Sequence, residues 1–190
     1  SRETGLLASW PDGGPTRRWS AAGIGRGYSS PIIVDQTVYI TGDRENDLVI
    51  SAFSLDGKLR WQTKNGAAWK RSFPGARSSC TYDNGKLYHM NAHGRLACLL
   101  AETGTELWAV DVLERFEAKN ITWGISESVV VLDDMVFVTP AGAKGLVAAL
   151  DKRYGDVLSA VKAIKLGPPY YSSPAGGPPA PTTCFNWPWQ

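Results

Sequence analysis

Apolar and polar positions alternate along most of the chain, in short runs separated by turn residues. The first set of runs is Ser30–Val34, Thr37–Thr41, Asp47–Ser54 and Lys58–Thr63, with turns at Asp35-Gln36 and Asp56-Gly57. Period-two patterning, β-branched residues and Asp-Gly turns predict strands joined by hairpins. Helical periodicity is absent from this stretch. The plan returns at Arg77–Tyr82, Lys86–Met90, Arg95–Ala101 and Thr105–Val110, with turns at Asp83-Asn84-Gly85, Asn91–Gly94 and Glu102–Gly104. It returns again at Ser126–Leu132, Met135–Thr139, Gly145–Asp151 and Asp156–Ala163.

The repeat can be phased by subtraction. Ser29, Ser78, Ser126 and Ser172 open successive copies, at separations of 49, 48 and 46 residues. Trp61 and Trp108 close two copies 47 residues apart, and Ser159 takes the closing place 51 residues later. Four strands per period of this length predict an all-β protein built from β-propeller blades of four antiparallel strands. A sandwich does not require the Ser-Ser openings and tryptophan closings to recur in phase. The expected organisation is a blade array over 1–174, with full blades at about 28–63, 77–111 and 125–163. Arg17-Arg18-Trp19-Ser20 reads as the closing strand of a blade lacking its earlier strands, and 170–174 as the opening of another. Residues 175–190 form a Pro-rich irregular tail, whose Phe185, Trp187 and Trp189 are expected to anchor on a partner chain.

The blade endings resemble the pyrroloquinoline-quinone-like (quinoprotein-like) propeller repeat. Glu102-Thr103-Gly104-Thr105-Glu106-Leu107-Trp108 is the fullest copy of its closing motif. Leu55–Trp61 is a shorter copy, and Asp151–Ser159 a degenerate one. The resemblance covers residues 17–174. It implies bacterial propellers of two kinds, quinone-dependent dehydrogenases of alcohols or sugars and cofactor-free scaffolds. The dehydrogenases carry adjacent cysteines or a calcium-binding set of Asp, Glu and Asn beside the quinone. This chain has neither adjacent cysteines nor a concentrated carboxylate cluster, so no cofactor and no metal are expected. Family members have about eight blades. Because open blades expose sheet edges, either chains assemble into a ring or the chain is a fragment of a longer protein; closure by self-association, as a dimer or higher oligomer, is the expectation.

Composition narrows the function classes. The chain has 190 residues and a net charge of +2, with the two signs interspersed. That balance carries no nucleic-acid footprint, and no apolar run is long enough for a membrane span. A periplasmic or extracellular location is expected, with the leader absent from this chain. Cys80, Cys98 and Cys184 have no metal-like spacing and read as small core residues or, for Cys184, an exposed one. The spaced Gly23, Gly25 and Gly27 lack the strand–helix setting of a phosphate loop and read as an inter-blade connection.

Candidate chemistry is sparse. His89 and His93 are the only histidines. Their spacing would suit a metal on a helix, but they lie on a hairpin. Ser126 or Ser128 with either histidine and an Asp would make a serine-type hydrolase, the first alternative function. The quinone-dependent oxidoreductase is the second. The ligand-binding set is Trp123, Glu127, Arg77 and Arg26. Glu127 breaks the repeat, its counterparts being read as Ser30 and Ser79, while the arginines approach the corresponding edge of other blades. The expected function is a cofactor-free binding or scaffold module, taking a small polar ligand or a protein partner.

Overall fold

The computed structural model describes residues 4–5 and 8–162. The expected fourth opening at Tyr171–Pro174, the 175–190 tail, Cys184 and Ala163 lie outside those residues. Twelve strands form three four-stranded antiparallel sheets, each taken in chain order. The first is β1 (Ile32–Val34), β2 (Thr37–Arg44), β3 (Asp47–Ser54) and β4 (Leu59–Ala67). The second is β5 (Thr81–Asp83), β6 (Lys86–Met90), β7 (Arg95–Leu100) and β8 (Glu106–Asp111). After the single-turn helix α1 (Val112–Arg115) come β9 (Val130–Leu132), β10 (Met135–Val138), β11 (Val147–Asp151) and β12 (Val157–Val161).

Each sheet is a propeller blade, and the three form an open, partial propeller. The first hairpin turns on Asp35 and Gln36, both at positive φ, as a tight antiparallel connection requires. Each fourth strand carries a register shift at one equivalent place, beside Ala52/Phe53, Cys98/Leu99 and Ala149/Leu150. Such bulges add twist where the outer strand turns away.

The cores lie between blades rather than within them. Tyr39, Leu48, Ile50 and Ala52 of the first blade meet Cys80, Leu87, Leu99 and Ala101 of the second. Tyr88, Met90, Leu96 and Cys98 of the second meet Val129, Val136, Val138 and Leu150 of the third. A single blade buries neither face alone, which is the energetic reason for repetition. Cys80 and Cys98 are free and buried, and burial pushes the Cys80 thiol up to about 12.

A phased lock joins the blades. Tyr39 Oη and Trp61 Nε1 both donate to the Ala101 carbonyl, each at 3.1 Å. One blade later, Tyr88 Oη at 3.2 Å and Trp108 Nε1 at 3.1 Å donate to the Lys152 carbonyl. Trp19 Nε1 donates to the Leu55 carbonyl at 2.7 Å, the same contact one blade earlier. The indoles lie over Gly57, Gly104 and Gly155, where an added Cβ would come within 2.9, 2.5 and 2.8 Å of the ring. Glycine is required there for two reasons, positive φ and the approach of the indole. Residues 17–20 therefore make the contact of a closing strand, although they are not paired into a sheet.

Hydrogen bonds also fix the repeat register. Ser30 N–H donates to Ser79 Oγ at 2.9 Å, and Ser79 N–H to Ser128 Oγ at 3.0 Å. The first strands begin at Ile32, Thr81 and Val130, 49 residues apart each time. Ser128, not Glu127, is thus the counterpart of Ser79. The residues equivalent to Glu127 are Ser29 and Ser78, one place before those expected from serine spacing.

Candidate functional site

The connection from β4 to β5 is where the three blades meet. Trp69 is only 2% exposed. Its backbone N–H donates to Asp43 Oδ2 at 2.8 Å, and its Nε1 to the Ser72 carbonyl at 3.0 Å. The His93 ring lies 5.2 Å from the indole, and His93 Nε2 is 3.2 Å from the Ala68 carbonyl. That nitrogen therefore carries the hydrogen. Gly124, leading into the third blade, has no room for a side chain beside Trp69.

Arg77 braces this loop from within. One terminal nitrogen donates to the Ser72 carbonyl at 2.7 Å and the Phe73 carbonyl at 2.6 Å. Its guanidinium lies 5.9 Å from the Trp69 ring and 6.0 Å from the Tyr28 ring, a cation–π arrangement. Phe73, at positive φ, presents its ring 5.6 Å from Trp123, and the two are 63% and 54% exposed. Arg26 contributes main chain: it exchanges two hydrogen bonds with Asp43 and accepts another from Ala76 N–H. Burial raises the Asp43 pKa, opposed by the Trp69 N–H and by the charges of His93 and Arg77. Asp43 Oδ1 and Arg77 Nε are buried without a hydrogen-bond partner among the described residues.

Glu127 stands apart from that junction. Its Oε2 accepts from Thr139 N–H at 3.2 Å and from Thr139 Oγ1 at 2.7 Å. It lines an open cavity of about 290 Å³ with Leu113, Lys119, Ile121, Ile125, Ser126 and Thr139. The expected ligand set thus divides. Trp123, Arg77 and Arg26 belong to the aromatic junction, and no hydrogen bond or ion pair among the described residues joins Glu127 to them.

The remaining expected residues have structural partners. His89 is fully buried, with Nδ1 2.9 Å from Asn65 Nδ2 and Nε2 3.2 Å from the Ser78 carbonyl. The amide donates to Nδ1, so Nε2 carries the hydrogen. Burial pushes the imidazole down to about 4, opposed by its bond to Ser78. Ser128 accepts from Ser79, and no hydroxyl–imidazole hydrogen bond forms at Ser126 or Ser128 among the described residues. A triad needs its base within reach of the nucleophile, so the hydrolytic arrangement is not assembled there.

A quinone with calcium also fails to fit the described residues. No three of their Asp, Glu, His or Cys side chains come together to hold a metal ion. The one buried carboxylate oxygen left unpartnered among the described residues, Asp43 Oδ1, belongs to a group beside the Arg77 guanidinium, whose charge repels a cation. Asp43, Trp69 and Phe73 were not anticipated from the sequence. The density of aromatic and cationic residues over Trp69–Arg77 was the available signal.

Comparison with known proteins agrees with this architecture. Residues 46–165 match the family described as outer membrane protein assembly factor BamB. The dehydrogenase subunit of a quinone alcohol dehydrogenase from Acetobacter aceti is 27% identical over 137 residues, 67% of this chain. The chain spans only 18% of that relative's length. Among solved structures, a europium-containing methanol dehydrogenase has a TM-score of 0.55 at 20% identity, over 76% of this chain and 26% of its own. BamB from Moraxella catarrhalis has a TM-score of 0.54 at 22% identity, over 75% of this chain and 38% of its own. No helix among the described residues is long and apolar enough to cross a membrane.

Proposed function

The chain belongs to the family described as outer membrane protein assembly factor BamB, and from that premise we propose that it works as a binding and scaffold module. The observation that carries this reading is the Phe73–Trp123 pair, two exposed aromatic rings in contact, the first on a loop braced by Arg77. Aromatic residues held in place by arginine are the usual anchors of recognition surfaces. Trp123, Arg77 and Arg26 form the partner-facing group, and Glu127 supplies a separate polar ligand contact. The location proposed is periplasmic or extracellular, in keeping with the family.

Self-association accompanies this role. All five residues of β12 are exposed, Val157, Leu158 and Val161 among them. An exposed apolar outer strand of this kind calls for a neighbour. A dimer or higher oligomer would place blades against it. Light scattering of the purified chain tests the point, with a multimer expected and a compact monomer overturning it.

A quinone-dependent oxidoreductase is the second reading, favoured by the Acetobacter relative. Adding the quinone and calcium to the purified chain separates the two. Alcohol-dependent dye reduction would replace the binding reading, and its absence is expected. Hydrolysis of a p-nitrophenyl ester, lost on Ser126→Ala, would establish the hydrolase instead.

A further inference from the structure

We infer that the cavity beside Glu127 binds a small apolar zwitterion of the α-amino acid type. The inference rests on the binding-module reading and specifies the ligand of one part of it. The cavity lies between the segment after α1 and the third blade, at the small end of ligand-pocket volumes.

The carboxylate there is not an architectural requirement. Its counterparts Ser29 and Ser78 are neutral: Ser29 Oγ donates to the Thr41 carbonyl, and Ser78 is buried. Glu127 alone brings a charge to this place in the repeat. Thr139, which occupies the position of Thr41, holds Oε2 with two hydrogen bonds. Oε1 accepts none among the described residues, so the carboxylate is oriented with one oxygen left for a donor.

A second charge lines the same cavity. Lys119 makes no ion pair with Glu127 or with any other described acid. Two opposite charges that line one cavity without pairing to each other match a ligand that carries both. An ammonium has three donors, which Glu127 Oε1 and the Ser126 hydroxyl can accept. The ligand carboxylate pairs with Lys119. In the same lining, Leu113, Ile121 and Ile125 offer an apolar wall for a branched side chain.

Isothermal titration of the full chain with L-leucine, L-leucinamide and 4-methylpentanoate tests each element. Leucine should bind. Leucinamide, lacking the carboxylate, should bind at least tenfold more weakly, and 4-methylpentanoate, lacking the ammonium, should give no heat. Glu127→Ser installs the residue that the first two blades carry, so the blade is expected to keep its melting temperature. That variant should weaken leucine at least tenfold, and Lys119→Ala should make leucine and leucinamide equivalent. No leucine heat at millimolar concentration, or unchanged affinity in Glu127→Ser, overturns the inference. The multimer and the Trp123 surface would survive that failure, whereas a monomer that still binds leucine would sink only self-association.

Discussion

Substituting Gly104 and Gly85 by alanine measures the inter-blade lock. Both glycines have positive φ, 73° and 79°, so alanine pays a similar backbone cost at each. That cost is about 1–2 kcal/mol for a left-handed residue with a Cβ. Around Gly85 nothing lies within 4 Å of the added methyl. At Gly104 the methyl would sit 2.5 Å from Trp61 Cε3 and 2.6 Å from Thr63 Oγ1. The Trp61 ring cannot simply retreat, because its Nε1 is bonded to the Ala101 carbonyl and its face meets Tyr39. Overpacking of this kind adds about 1–3 kcal/mol. In urea, with a slope of about 2 kcal/mol/M, the two midpoints should differ by about 0.5–1.5 M, Gly104→Ala unfolding first. Pairing Gly104→Ala with Trp61→Ala should recover part of the loss, a coupling expected only if the two groups collide. Equal midpoints for the two alanine variants would refute the lock as the reason for glycine.

His89 should make the fold acid-sensitive. Its folded pKa is lowered to about 4 from 6.5, so the unfolded chain binds the proton first as pH falls. The stabilisation is complete above pH 6.5 and is lost between there and about pH 4, to an extent of about 3 kcal/mol. Thermal melts across that window should show a steeper fall for the native chain than for His89→Gln, and parallel curves would count against the assignment. Asp43 works in the opposite sense. Its raised pKa means that folding penalises the ionised carboxylate, a penalty that sets in as pH rises above the ordinary value of 3.8 and is complete once pH passes the folded pKa. Asp43→Asn keeps an acceptor for the Trp69 N–H and removes that penalty, so it should melt no lower than the native chain at pH 7. A clear loss of stability would show that the charge on Asp43 holds Arg77 and His93 in place.

Most strands were legible because their signals are local. The two-residue turn at Asp35-Gln36 and the alternation in Thr37–Thr41 and Asp47–Ser54 report on neighbours in the chain. The first strand of each blade was drawn too long at its start. Residues such as Ser30 and Ser79 bond to the next blade rather than to their own hairpin, and alternation does not distinguish those partners. Helix α1 has only four residues, too few for a period. It is recognisable only from its cap, where Asp111 Oδ1 accepts from Glu114 N–H at 2.9 Å. The aromatic junction escaped for a different reason. Asp43 sits at the end of a strand and Trp69 in a connection, and nothing in either segment alone says that they touch.

Register decides what a departure from the repeat means. With Ser126 aligned to Ser78, Glu127 replaces a serine whose side chain receives a backbone N–H from the neighbouring blade. In the observed register it replaces Ser29 and Ser78 instead, while Ser128 retains the bonding role. The carboxylate therefore costs the blade interface nothing. The same register pairs Phe137 with Tyr39 and Tyr88, and Ser159 with Trp61 and Trp108, through partners Ala149, Ala52 and Cys98. Both donors of the lock are thus missing from the third blade together, although its strand pairing is intact. Loss of one donor would leave the next turn carbonyl served by the other. Loss of both removes the whole reason for a glycine turn to dock on this face, where the exposed Val161, two residues from Ser159, offers apolar contact alone. A neighbour on the third blade would consequently be held by shape and apolar area, whereas the two joints before it are fixed by directed hydrogen bonds.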